Sequence, residues 1–251
     1  MFETVVLGIL SSLLAKLLID LARFRDFFWP QLMCRTIYRN KLLRVSMAAI
    51  VRLSDGSGYL LIKNQRRPEF FGPIGGVIKF YTLARLEDRF EFQSQSKRSD
   101  LKNDLRGFLP GRNFYAFMQW FRSKQDREVE SVTRELIEEL QEIGLDNLAA
   151  NIQALPLSFV RYVHEGVRPV TNTNYYQFRY LEIYELDPTD ENGRILTQQL
   201  FAAAQENSDL LVVTQQEIDR GRAKTGEPIG IHSNYLIREK RVGSEPAPFY
   251  E

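Results

Sequence analysis

The sequence predicts an α+β domain, and three stretches of its 251 residues carry that expectation. Residues 44–53 (RVSMAAIVRL) and the run YLLIKN from Tyr59 are rich in β-branched and apolar residues. SDGSG at 54–58 supplies turn chemistry between them, together a β-hairpin signal. FGPIGG at 71–76 clusters Pro and Gly as a tight loop. Asp126 to Ile143 is a strongly helical stretch that Gly144 stops. Hydrophobic residues at 44% and charged residues at 26% match globular averages, which excludes a disordered chain and a polytopic membrane protein. Lys plus Arg 33 against Asp plus Glu 32 leaves a net charge of +1. No global field therefore recruits a nucleic acid polymer, and electrostatic function must come from local clusters. One cysteine, Cys34, excludes an internal disulfide, and two histidines leave no material for a Cys/His zinc site, so any metal here would be held by carboxylates.

The N-terminus departs from this average. Thr4 to Leu21 reads TVVLGILSSLLAKLLIDL, about 18 residues that make a helix of about 27 Å, just enough to span a bilayer. Phe27, Phe28 and Trp29 suit a membrane interface, and Pro30 stops the helix. Only Glu3 is charged before the run, whereas Arg23, Arg25, Arg35, Arg39, Lys41 and Arg44 follow it, so the basic side stays cytoplasmic. The basic residues follow the run and no small-x-small pattern closes it, which favours a retained helix over a cleaved signal peptide. The expected organisation is a transmembrane helix at 4–21, a basic juxtamembrane linker at 22–43 and a cytosolic domain at 44–251, crossing the membrane once. Gly8, Ser12, Lys16 and Asp20 fall on one helical stripe. Two readings stay open: a spanning helix that self-associates and places the Lys/Asp pair in an oligomer or wet pore, or an amphipathic helix lying on the membrane or on the domain.

The helical stretch contains RELIEEL at 134–140. Val129, Leu136, Leu140 and Ile143 share one face, and Glu135, Glu138, Glu139 and Glu142 gather on another within an arc of about 100°. Crowded carboxylates invite a hard divalent cation such as Mg²⁺; a solvated acidic face helped by Arg127 and Arg134 is the plainer alternative.

A hairpin, a GG loop and then a helix bearing Arg-Glu-Leu-x-Glu-Glu resembles the Nudix family. Its box reads Gly, five residues, Glu, seven residues, Arg-Glu-hydrophobic-x-Glu-Glu-x-Gly-hydrophobic. Arg134, Glu135, Leu136, Glu138 and Glu139 match the centre of the box, and Asp126 stands at the position of its upstream Glu. SFVRYVHEG, NYYQFRYLEIYEL and LLVVTQQEIDRG resemble the later strands and final helix, so the resemblance spans roughly 44–237 and implies a mixed sheet between helices. It also implies Glu135, Glu138 and Glu139 as metal ligands, Glu135 as ligand or base if the domain is catalytic, and Arg134 as a buttress for the loop. Two departures stand out. Residues 77–125 intervene between Gly75-Gly76 and the acidic helix, and Gln141 and Glu142 replace the closing Gly and hydrophobic residue. The box is split, and metal binding can survive where hydrolysis does not.

In the insertion, ten basic residues face five acidic ones, while Phe114, Phe117, Met118 and Phe121 recur at helical spacing. A basic lid over a nucleotide, a lipid-docking surface, or an ordinary helix with an aromatic face beneath a charged loop all fit that pattern. By the same resemblance, Arg67, Phe71, Arg161 and Tyr176 are candidate ligand contacts, with Arg66, Tyr162 and Tyr175 beside them.

A transmembrane helix joined to a divergent Nudix domain resembles the membrane effectors of bacterial CBASS antiphage defence, in which a SMODS-associated NUDIX domain accompanies cyclic-nucleotide-synthesising enzymes. The resemblance implies a receptor that binds a cyclic oligonucleotide, changes its homo-oligomeric state and disrupts the inner membrane, leading to abortive infection. The alternative is a membrane-tethered Nudix hydrolase that cleaves nucleoside diphosphate derivatives with Mg²⁺.

Overall fold

The computed structural model describes residues 27–238, apart from positions 97, 99, 100, 130, 153, 154 and 188. Among the described residues no helix is long and apolar enough to cross a membrane. The expected spanning run at 4–21, with its Ser12, Lys16 and Asp20 stripe, lies outside them.

Helix α1 (Phe28–Arg35) precedes strand β1 (Leu42–Val51), then come β2 (Tyr59–Asn64), β3 (Arg67–Gly72) and β4 (Gly75–Val77). The stretch 77–125 contributes α2 (Leu86–Phe90), β5 (Gln93–Ser94), β6 (Arg106–Pro110) and α3 (Phe114–Ser123). The acidic helix α4 (Ser131–Glu142), α5 (Asp146–Ile152), β7 (Leu157–Pro169), β8 (Tyr176–Leu186), α6 (Glu191–Ala203), β9 (Leu210–Val213), α7 (Gln215–Arg220) and α8 (Asn234–Ile237) complete the described chain. The result is α+β: a mixed sheet in the order β5-β6-β1-β8-β7, with β4 also on β1, and a second sheet in the order β3-β2-β9. β1 and β8 run parallel from Leu43 opposite Tyr176 to Val51 opposite Tyr184. β8 is an interior strand between β1 and β7, and eight of its eleven residues are buried because both of its faces are covered.

The expected hairpin between 44–53 and 59–64 forms only at its root. Ser54 bridges Tyr59 and the Leu60 N–H donates to the Leu53 carbonyl, but beyond that point the strands enter different sheets. The turn chemistry is as expected, with the Asp55 carboxylate accepting from the Ser57 and Gly58 N–H groups. The partners differ because β2 pairs with β3 and with the distant β9, Tyr59 opposite Val213. Turn residues set a reversal of the chain; they do not choose which strand each arm then pairs with.

Two cores follow from the alternation along β8. Phe178, Tyr180 and Tyr184 face the larger core, with Val45, Met47, Leu136, Leu140 and the aromatic face of α3. Leu181 and Ile183 face the smaller one, with Leu61, Phe71, Ile218 and Tyr235. Phe114, Phe117, Met118 and Phe121 are all buried, so the helical spacing in the insertion marks a core helix, laid on β8 through Phe114 on Phe178 and Phe121 on Tyr180. Within 22–43, the described residues from Phe27 onward pack on this domain: Phe27 is buried against Tyr162 and His164, and Cys34 is buried, which pushes its thiol up to about 12. Phe28 and Trp29 remain exposed.

Candidate functional site

The site is built on one edge of β1. That edge has two occupants laid end to end, β4 on Ala48–Ile50 and β6 on Leu42–Ser46. β4 is only three residues long, so the insertion supplies β6 to satisfy the backbone groups that β4 leaves uncovered. Most of the insertion's regular structure is thus wall and core, not a lid.

The two ends of the insertion are zipped together. Phe80 pairs with Arg127, the Tyr81 N–H donates to the Asp126 carbonyl, and the Glu128 N–H donates to the Lys79 carbonyl. The box that is split in sequence is therefore closed in space. A Cβ on Gly76 would fall 2.1 Å from Cδ of Glu135, and one on Gly75, whose φ is +145°, would fall 2.2 Å from the Ala49 carbonyl oxygen. Gly75 requires glycine for the backbone of β1, whereas a side chain at Gly76 would displace the Glu135 carboxylate of α4. The zipper also explains why α4 begins at Ser131 and not at the expected Asp126. Residues 126–128 are held in bridge pairing, Asp126 is left-handed with φ +55°, and Val129 lies outside the helix and is exposed. The C-terminal stop is as expected: Gly144 has φ +79°, its N–H donates to Gln141 and the Leu145 N–H reaches Leu140, a Schellman ending.

Arg134 is the hub of the acidic face. Its Nε donates to Glu128 Oε1 at 2.8 Å, Nη2 lies 2.8 Å from Glu135 Oε1, and Nη1 lies 2.8 Å from Glu138 Oε2. Burial works against the charged guanidinium, but the Glu128 hydrogen bonds and the charges of Glu135 and Glu138 outweigh it and raise its pKa. Glu128, which also accepts from the Lys79 N–H at 3.3 Å, holds Arg134. Asp126, two residues earlier at the box spacing, is exposed. The left-handed turn at Asp126 shifts the register, and sequence spacing alone cannot show that.

Glu139 is the unusual carboxyl. Its Oε2 is buried without a hydrogen-bond partner, and burial first, then the neighbouring Glu135 charge, pushes its pKa up to about 8 against an opposing Gly75 N–H. Burial also raises Glu135, partly offset by Arg134. Glu135, Glu138 and Glu139 are close, yet among the described residues no three His, Cys, Asp or Glu side chains form a group able to hold a metal ion. Arg134 spreads its single positive charge over Glu128, Glu135 and Glu138, which leaves the cluster net negative, and in this arrangement it occupies the carboxylates of Glu135 and Glu138 that would otherwise turn toward a cation.

The four ligand candidates are spread over the domain. Arg67 opens β3, and Phe71 on the same strand is buried in the smaller core, with no face open for stacking. Arg161 donates to the Tyr235 carbonyl at 2.8 Å and ties β7 to α8. Tyr176 sits at the opposite end of β8, against Tyr38. Arg161 pairs opposite Ile183, so Tyr176 is displaced from it by seven residues of β8, about 24 Å at about 3.4 Å per residue. Sequence reasoning missed the buried pair Arg127–Glu182, joined at 2.9 Å with side chains 1% and 6% exposed. Its partners lie on different elements, so no local pattern announces it.

Neither the curated proteins nor the solved structures contain a match to this chain. A family profile does match: the one described as SMODS-associated NUDIX domain covers residues 42–237, from the first residue of β1 to the last of α8. The α+β sheet flanked by helices, the Gly75-Gly76 loop against α4 and the Arg134 hub all fall inside that span, and the chain belongs to the SMODS-associated NUDIX domain family.

Proposed function

We propose that this protein is a receptor-effector of a CBASS-type antiphage system: its Nudix domain binds a cyclic oligonucleotide, its oligomeric state changes, and its N-terminal segment disrupts the inner membrane. Membership of a family associated with second-messenger synthetases, over most of the chain, carries the reading. The apolar run at 4–21 with its Ser12/Lys16/Asp20 stripe supports the membrane step, since bundled helices would place those polar groups together. Ligand can drive such a step only through differential affinity for two assembly states. Full-length protein in liposomes should release dye on addition of a cyclic di- or trinucleotide, and Lys16→Leu with Asp20→Leu should change leakage while leaving ligand binding intact. Alkaline carbonate should fail to extract the protein from membranes; extraction would favour the surface-lying helix. Leakage indifferent to every nucleotide would sink the effector reading.

Mg²⁺-dependent hydrolysis of nucleoside diphosphate derivatives is the second reading, and the orphaned Glu139 oxygen beside Glu135 is what favours it. It requires Arg134 to release Glu138 and Glu139 to lose its proton. Turnover of such substrates that vanishes in Glu138→Gln or Glu139→Gln would establish it.

A further inference from the structure

A cleft of about 180 Å³ opens on the α3 side of the main sheet, lined by Arg122, Lys124, Arg127, Phe159, Tyr162 and Glu182, with Tyr180 and Tyr184 completing its wall. Three features set it apart from an incidental hollow. Its charge is lopsided: Arg127 and Glu182 answer one another, and Arg122 and Lys124 add two further cations to the lining. Glu182 Oε1 accepts from Arg127 at 2.9 Å and Oε2 accepts from the Tyr184 hydroxyl at 2.9 Å. Its aromatic wall is layered: Tyr162 stacks on Tyr180 with centroids 5.4 Å apart, and Phe159 meets Tyr184 edge-on at 5.6 Å while remaining 53% exposed. A phenyl ring left half in water on a strand offers a stacking face to a planar partner. Third, the loop that carries the cations is conformationally costly. Lys124 and Asp126, neither of them glycine, both sit in the left-handed region with φ +59° and +55°. Lys124 is the left-handed C-cap of α3, so the chain turns just after Arg122, and both side chains line the cleft.

We propose that this cleft binds one nucleotide unit of the cyclic ligand, its base against Phe159 and Tyr162 and its phosphate at Lys124 and Arg122. Cations beside exposed rings select an anion that carries a planar ring, which is the chemistry of a nucleotide and not of inorganic phosphate or a simple acid. The volume is below the roughly 300 to 1,000 Å³ of pockets that enclose a whole drug-sized ligand, so one unit enters and the remainder of the ring stays outside. The site also adjoins the acidic helix along the chain. Arg127 lines the cleft as a fixed joint, and the next residue, Glu128, holds Arg134, so the cleft and the hub of α4 are built on one stretch of chain. This proposal rests on the receptor reading above but is separable from it.

The test uses the full chain in detergent and a panel of cyclic diadenylate, cyclic diguanylate and cyclic triadenylate. AMP serves as a single-unit probe and inorganic phosphate as an anion without a ring. Wild type should bind one member of the panel, with AMP but not phosphate competing. Lys124→Glu and Phe159→Ala, both at solvent-facing positions, should each weaken binding roughly tenfold or more, the scale of one lost stacking or phosphate contact. Phe159→Trp should retain it, and Arg194→Ala, in an exposed pair on α6, should bind as wild type does. An azido derivative of the bound nucleotide should crosslink to the peptides holding Phe159–Tyr162 or Arg122–Arg127, a readout that does not depend on any variant folding. Binding within twofold of wild type in both variants, or crosslinks elsewhere, places the ligand at another site and leaves the receptor reading standing. Failure of wild type to bind any member of the panel removes both.

Discussion

Two arginines on either side of the α4 N-terminus make opposite use of the same interaction. Arg127 is sealed in the core, with its side chain 1% exposed, and one carboxylate, Glu182, answers it together with the carbonyls of Phe121 and Glu128. Arg134 is 25% exposed and shares three carboxylates, of which Glu138 is half in water. A sealed pair has no substitute partner, since desolvation has already been spent on both charges, so it behaves as a fixed joint between the insertion and β8. A shared, wetter hub can exchange partners at small cost, so it is the place where a cation or a proton can act. Burial, not the number of partners, separates the joint from the switch.

The largest expected effect breaks the joint. Arg127→Met leaves Glu182 buried with only the Tyr184 hydroxyl and should cost about 3 to 5 kcal/mol. Arg127→Met combined with Glu182→Leu should recover much of that loss. Denaturant melts of the two variants decide it, and equal losses in both would mean that the charge pairing is not what matters.

Next comes the proton on Glu139. The folded chain holds it up to about pH 8, whereas the unfolded chain releases it near 4.5. Between those values the unfolded state binds fewer protons than the native state, so stability falls as pH rises through the window and levels off above it. Glu139→Gln should abolish that slope and make the domain more stable than wild type at pH 8. The gain is on the order of 2 to 3 kcal/mol, reduced from the full shift because the residue is not wholly buried. Melting temperatures of both proteins from pH 4.5 to 9 test the sign; parallel curves would reject it.

Arg134→Ala should cost about 1 to 2 kcal/mol, because Glu128, Glu135 and Glu138 are then left to repel one another. Millimolar Mg²⁺ should restore more of the melting temperature in this variant than it adds to wild type, as a cation takes the vacated place. Equal Mg²⁺ response in the two proteins would show that Arg134 is no surrogate cation. The smallest effect belongs to the exposed pair Arg194–Glu191, where Arg194→Ala should stay within about 0.5 kcal/mol by thermal melt and fix the solvated end of the scale.

Some of this architecture is legible locally. Phe114, Phe117, Met118 and Phe121 announce a buried face, Leu136 and Leu140 announce the inner side of the acidic helix, and Gly144 announces its end. Each signal is a period or a cap contained within a few turns of chain. The box residues Arg134, Glu135, Glu138 and Glu139 are equally visible, and their family assignment extends across residues 42–237. Less legible is what each of them touches. Glu128 takes the position that spacing gave to Asp126 because one left-handed residue shifts the register. The cleft residues come from the end of α3, from β7 and from β8, which no sequence window contains together.

By itself, then, the sequence determined the helices, the turns, the glycines and the charge types, since these follow from backbone conformation and side-chain period over short range. Only the tertiary structure decided that β2 leaves β1 for another sheet, that the insertion completes the edge of β1, and that its zipped ends return Gly76 to Glu135. Those outcomes are strand pairings between distant segments, chosen by which backbone groups and apolar faces remain uncovered once the whole chain is packed. The same packing decides which charges lose water, and so which of two arginines holds the fold and which one remains free to respond.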